Sequence, residues 1–175
     1  MKNELIFGTI KISFLKDNII RLENSPNLNF SNCESINIKN KKIDYTKYNV
    51  EIDGTNYRIF YNDLIIAFDS INLLNTFVIT LGDKVVYRYR YVKTSGELPV
   101  VEKTPFIFPV MDYPRILVGD LGYDPDSDKF VVEKDTKDLF LLVCRNDYKL
   151  LRQQYMSLTG RNEIPRLKNL GLWRS

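Results

Sequence analysis

Short apolar alternations at period two, each closed by a turn signal, constrain this chain more than any other feature. Ile10, Ile12 and Phe14 fall on one face with Lys11 and Ser13 on the other, Lys16-Asp17-Asn18 reads as a turn, and Ile19 to Leu22 is the returning strand. After a polar stretch from Asn24 to Lys42, Val50 and Ile52 alternate into Asp53-Gly54, a strong hairpin signal, and Tyr57, Ile59 and Tyr61 come back from it. Leu64 to Phe68 is a further strand beyond Asn62-Asp63. Phe77-Val78-Ile79 begins another, which Gly82-Asp83 turns into Val85-Val86-Tyr87, with Tyr89 and Tyr91 continuing the alternation against Arg88 and Arg90. Strands this short at this spacing predict a mainly β, antiparallel fold, a sandwich or barrel.

Between Lys93 and Pro125 the prolines Pro99, Pro105, Pro109 and Pro114 interrupt apolar residues, and the segment reads as irregular structure or edge strand, because proline cannot donate to a ladder. Phe130 to Val132 and Leu139 to Val143 resume the sheet. One C-terminal helix follows. Asn146 or Asp147 can cap it, Tyr148, Leu151, Tyr155 and Leu158 recur at helical spacing, Arg152 lies near its middle, and Gly160 offers the stop. Its amphipathic face must pack on something.

A chain of 175 residues with 44% hydrophobic and 27% charged residues is globular in composition and long enough for one ordinary domain. Its 25 basic and 22 acidic residues are interspersed, so nucleic acid is not implied as a partner. The short cluster Lys39, Lys41 and Lys42 reads as a solvated loop. Leu139 to Cys144 is far too short to span a bilayer and Met1-Lys2-Asn3-Glu4 opens no sustained apolar run, so neither membrane nor secretion is expected and the cytoplasm is the expected location. Histidine is absent, which removes Ser-His-Asp and Cys-His catalysis and most transition-metal sites together. Cys144 lies inside an apolar run, as a buried inert thiol, and Cys33 lies in a polar loop. No metal and no cofactor is expected.

Asp124-Pro125-Asp126-Ser127-Asp128 has the alternating carboxylates of a calcium loop, but Lys129 stands where that loop needs glycine and Asp135 where it needs a bidentate Glu. A polar turn between strands is the better reading. Among the acidic residues, Glu97 beside Gly96 and Asp112 ahead of Tyr113-Pro114-Arg115 stand outside obvious surface strands and turns. A solvated Glu97 and an Asp112 engaged with Arg115 are the plain structural readings, and a ligand-binding role is the alternative for both. The Tyr-Arg alternation from Tyr87 to Tyr91 is read as core plus surface.

The last forty residues carry a resemblance. Asp138-Leu139-Phe140-Leu141-Leu142, Asn146-Asp147-Tyr148-Lys149, Tyr155 to Arg161, Ile164-Pro165-Arg166-Leu167 and Leu170-Gly171-Leu172-Trp173 follow one another in an order that resembles a junction of family 31 glycoside hydrolases. There the last sandwich strand passes through a helix into the first strand of a (β/α)8 barrel. Ile12 to Arg21 and Tyr48 to Tyr87 resemble the upstream strands of the same family more loosely.

The resemblance implies a galactose-mutarotase-like N-terminal β-sandwich over residues 1–145, then a linker helix and the start of a first barrel strand over 146–175, with the catalytic barrel itself absent. The parent enzyme would be a retaining α-glycosidase acting on α-glucosides or α-xylosides. Its catalytic aspartates would lie in the barrel beyond Ser175, so no catalytic residue is expected in this chain and the chain alone should not hydrolyse. The sandwich would support the barrel and lend a loop, at Lys93 to Pro105, to the substrate pocket, with Glu97 as the first and Asp112 as the second candidate for binding the carbohydrate. The downstream barrel of the same polypeptide is then the main partner, and apolar surface around Trp173 and the helix would favour a homodimer of the isolated chain. The competing expectation is a free-standing carbohydrate-binding or protein-interaction module.

Overall fold

The computed structural model describes residues 4–26, 28, 30, 38–44, 47–89, 91–92, 100–101, 104–112, 115–116, 123–124, 129–130, 132–133 and 137–160. The strands in chain order are β1 (Glu4–Phe7), β2 (Ile10–Leu15), β3 (Ile19–Asn24), β4 (Tyr48–Asp53), β5 (Asn56–Tyr61), β6 (Leu64–Asp69), β7 (Val78–Leu81) and β8 (Lys84–Arg88). They continue as β9 (Tyr91–Val92), β10 (Val100–Val101), β11 (Ile107–Asp112), β12 (Arg115–Ile116), β13 (Tyr123–Asp124), β14 (Lys129–Phe130), β15 (Val132–Glu133) and β16 (Lys137–Val143). A four-residue helix, α1 (Leu73–Thr76), joins β6 to β7, and α2 (Tyr148–Thr159) follows β16.

The expected antiparallel architecture is present as two five-stranded sheets, one ordered β1-β2-β3-β16-β11 and the other β4-β5-β6-β7-β8. The second is a meander whose every connection is local. The first takes in β16 and β11 from far along the chain, β16 pairing β3 from Lys137↔Asn24 to Leu142↔Ile19. Strand β11 is the sheet edge, where Pro109 is tolerated, as expected of a residue without an amide donor. The remaining short strands pair as β9 with β10, β12 with β15 and β13 with β14.

Alternation selects what each sheet buries. Ile12, Phe14, Ile20, Leu22, Leu139, Leu141 and Val143 of the first sheet share one core with Ile59, Tyr61, Leu64, Ile66, Phe68 and Ile79 of the second. Phe14 stacks on Tyr61 with ring centroids 4.1 Å apart, and the Phe7 ring meets Tyr57 edge-on at 4.7 Å, so these four rings join the two sheets. Among the described strands, one register shift breaks the alternation. The register of β7 with β8 shifts between Ile79 and Thr80, and the bulge lets Val86 and Tyr87, neighbours in sequence, both be buried.

The opposite face of the first sheet is covered as well. Leu15, Ile19, Phe140 and Leu142 on that face pack with Ile38 and with Leu158 of α2 in a second apolar cluster. This explains the unbroken apolar run in β16, whose side chains are buried on both faces. It also corrects one expectation: Lys11 and Ser13, on the polar face of the first alternation, are 3% and 1% exposed.

Helix α2 has the predicted ends. Asp147 Oδ1 accepts from the backbone of Lys149 and Leu150, and Gly160 adopts φ +70° as the left-handed stop. Its buried face differs from the four-residue stripe read from spacing. Leu158 and Gln154 are buried and Leu151 is half-buried, whereas Tyr148 is 81% and Tyr155 42% exposed. A polar side chain displaces the tyrosines because the end of the sheet offers unpaired carbonyls: Gln154 Nε2 donates to Asp17 O at 2.8 Å and Val143 O at 3.1 Å. Ser157 Oγ donates to Asp17 Oδ2 at 2.6 Å beside them.

Candidate functional site

Strand register sets charged side chains in a row across the covered face of the first sheet. Lys11 lies opposite Glu23, Glu23 opposite Asp138, and Asp138 opposite Asp112, and all four are at most 3% exposed. Arg21 and Phe140 form the next row, and Lys41 reaches the same place from the segment that covers the sheet. Three cations and three carboxylates thus meet in a buried layer.

Arg21 Nη2 donates to both oxygens of Asp138, at 3.1 and 2.9 Å, and lies 3.1 Å from Glu23 Oε2. Lys11 Nζ is 3.2 Å from Glu23 Oε2, and Lys41 Nζ donates to Asp138 Oδ2 at 3.2 Å. The Arg21 guanidinium and the Lys41 ammonium both sit near the Phe140 ring, 5.8 and 6.0 Å from its centroid. Burial pulls the Lys41 pKa below the ordinary lysine value, while Asp138 pulls in the other direction. The loop reading of the basic cluster is therefore corrected at one position: Lys39 and Lys42 are exposed, but Lys41 is buried on Asp138.

Charges so compensated and so enclosed favour structure over chemistry. The network ties the segment around Lys41 to strands β2, β3 and β16, and Glu23, Asp112 and Asp138 are all buried within it. Asp112 takes its place in this layer at the end of β11, 2% exposed and close enough to Lys41 to influence its charge. Glu97 lies outside the described residues, as do Cys33, Trp173, the span Pro125–Asp128 of the calcium-like turn and the Arg115 side chain. Of the two candidates, only Asp112 is among the described residues. Among the described residues no group of three or more Cys, Asp or Glu is arranged to hold a metal ion. Cys144 is 3% exposed, its thiol lies 3.4 Å from Phe106 O, and burial pushes its pKa up, as an inert thiol requires.

A second feature is open. On the outer face of the β4–β8 sheet, Glu51, Arg58 and Ala67 form one row and Asp53, Asn56 and Asp69 the next row of the same face. Between them lies a depression of about 500 Å³, which Thr76 also lines. Asp69 is held rigidly, accepting from Thr55 Oγ1 at 2.7 Å and from the amides of Ile71 and Asn72. These bonds, that from Thr55 first, keep its carboxyl below the usual range and charged. Three carboxylates against one guanidinium leave the depression negative.

No protein-family model matches the chain, and no curated protein does. No helix among the described residues is long and apolar enough to cross a membrane. Sequence reasoning missed the buried charges for a physical reason. Lys11, Arg21 and Glu23 alternate with apolar residues as any solvent-facing set does. The one signal that the face is covered was the continuous apolar run of β16, which places Phe140 and Leu142 on the same side.

Proposed function

We propose that this chain is the non-catalytic N-terminal β-sandwich of a retaining α-glycosidase of family 31 type, a galactose-mutarotase-like domain that supports a catalytic barrel in the same polypeptide. The reading rests on the resemblance between Asp138 and Trp173. The observation that most supports it is the order of elements in the described part of that stretch: a doubly buried interior strand, an Asp147 cap, a helix seated on the outside of the sheet, and a left-handed Gly160. Tyr148 and Tyr155 on the far side of that helix give a following domain apolar surface to rest on.

In this reading the chain contributes support and a pocket rim, and hydrolysis of α-glucosides or α-xylosides belongs to the barrel. Glu97 is the side chain proposed to reach a sugar hydroxyl. Asp112, the second candidate, is buried in the charge layer at the end of β11 away from that loop. The test is to read the coding sequence past Ser175 and to assay its full product on aryl α-glucosides and α-xylosides. Hydrolysis by the full product, none by residues 1–175, and a loss of kcat/KM on Glu97→Gln are the expected results. A stop codon at 176, or a full product inactive on both substrates, overturns the proposal.

A further inference from the structure

The outer face of the β4–β8 sheet has a charge pattern that fits a second copy of itself. Strand register places Glu51, Arg58, Ala67, Val78 and Arg88 in one row across all five strands, and Asn49, Phe60, Ile65, Thr80 and Val85 in the adjacent row. The centre of this face is apolar, yet Phe60, Ile65, Ala67 and Val78 belong to neither core cluster, and Val85 is 46% exposed. Its two ends differ in sign. Glu51 and the depression it shares with Asp53 and Asp69 lie toward β4, and Arg88 stands on β8 at the other edge. Glu51, Arg58 and Arg88 are exposed, and none of them has an ion-pair partner among the described residues.

We propose that two copies of this chain associate face to face through this sheet, about a two-fold axis running along β6. That axis stacks β4 of one copy over β8 of the other and keeps each residue at its own height along the strand. Glu51 then meets Arg88 of the second copy, and the reciprocal pair forms at the opposite edge, so that a guanidinium enters each negative depression. Ile65 and Ala67, on the axis strand, meet their own counterparts. A two-fold interface must be self-complementary in this way, and aligned sheets pack naturally within about 30° of one another.

Five strands at a spacing of about 4.8 Å span roughly 20 Å. The interface therefore belongs to the small class burying less than about 1,200 Å² in total, and the dimer is of micromolar rather than obligate kind. The surface is distinct from helix α2, and the inference does not depend on the glycosidase reading.

Sedimentation velocity on residues 1–175, from low micromolar to submillimolar concentration, should show a monomer–dimer equilibrium. Glu51→Arg and Arg88→Glu should each weaken it at least tenfold, and the double exchange, which restores opposite signs, should return it to within about threefold of the original. All these positions are exposed, and circular dichroism checks that the variants are folded. Ile65→Cys in a Cys33→Ser background should be linked to its counterpart by a short bismaleimide, since the axis sets the new thiols opposite each other across sheets about 10 Å apart. A monomer at every concentration, single variants that dimerise as before, or a double exchange that stays weak overturns the proposal. So does a dimer dissolved by Tyr148→Ser and indifferent to the charge variants.

Discussion

Arg21 Nη2 donates to both carboxylate oxygens of Asp138, at 3.1 and 2.9 Å, although 117 residues separate the two in the chain. Both side chains are buried, and Asp138 also accepts from Lys41, which belongs to neither strand. The pair therefore holds β3 to β16 and both to the segment that covers them. Breaking it leaves a buried charge without its counterion.

Replacing Asp138 by Asn keeps the shape and removes the charge that Arg21 and Lys41 share. The expected loss is about 3 kcal/mol or more, the usual cost of leaving a buried cation without its counterion. Replacing Arg21 by Met in the Asp138→Leu background should cost less than the same change in the natural chain, with a coupling of about 1–3 kcal/mol. Urea denaturation of the five proteins measures both, and strictly additive losses in the Arg21→Met and Asp138→Leu pair would refute the coupling.

Gln154 is the polar side chain that seats helix α2, through Asp17 O and Val143 O. Gln154→Met fills similar space and leaves both carbonyls without that donor, so a loss of about 1–3 kcal/mol is expected. Hydrogen exchange should report it locally, as faster exchange in α2 with little change in β5 and β6.

Gly160 and Gly82 both have positive φ, +70° and +56°, and they differ in surroundings. A Cβ at Gly82 would meet nothing within 4 Å, whereas one at Gly160 would come within 2.9 Å of Lys39 Cβ. Gly82→Ala should cost about 1–2 kcal/mol from backbone strain alone. Gly160→Ala should cost clearly more, because the Lys39 backbone also donates to Leu158 O and cannot withdraw freely. Thermal melts of the two variants should rank them in that order.

Tyr61 Oη donates to Asp44 Oδ2 at 2.6 Å from a fully buried ring. Burial first, and then this bond, raise its pKa well above the ordinary 10.0. The folded chain keeps the phenol proton where the unfolded chain loses it, so the folded state binds more protons above pH 10. Stability from this group is complete below the unfolded value of 10.0 and falls as pH rises beyond it, by at most about 1.4 kcal/mol per pH unit. Denaturation of the natural chain and of Tyr61→Phe between neutral pH and pH 11 should show the advantage of the tyrosine shrinking only at the alkaline end. An advantage constant across that range would contradict the assignment.

Most of the fold was legible because each strand announces itself locally. Val50 to Tyr61 around Asp53-Gly54 specifies a hairpin by alternation and turn chemistry, and Asp147 with Gly160 specifies where α2 starts and stops. Partner choice is a different matter. That β16 inserts beside β3, and β11 beside β16, depends on contacts more than a hundred residues distant for the first and on an edge tolerant of Pro109 for the second. Of the two carboxylates singled out for binding, Asp112 has a described position, in a buried charge layer that alternation alone could not distinguish from solvent-facing polarity.

The sequence by itself determined strands β2 to β8 and β16, the face of each that forms the shared core, and the ends of helix α2, since these follow from side-chain period and backbone preference within a few residues, whereas β1 and the short α1 carry no such signal. Only the tertiary structure decided that the polar side of the first alternation is buried, that Lys41 is a partner rather than a solvated side chain, and that Gln154 rather than a tyrosine faces the sheet. Burial of a charge depends on whether distant segments supply its counterion and exclude water, and no local pattern carries that information.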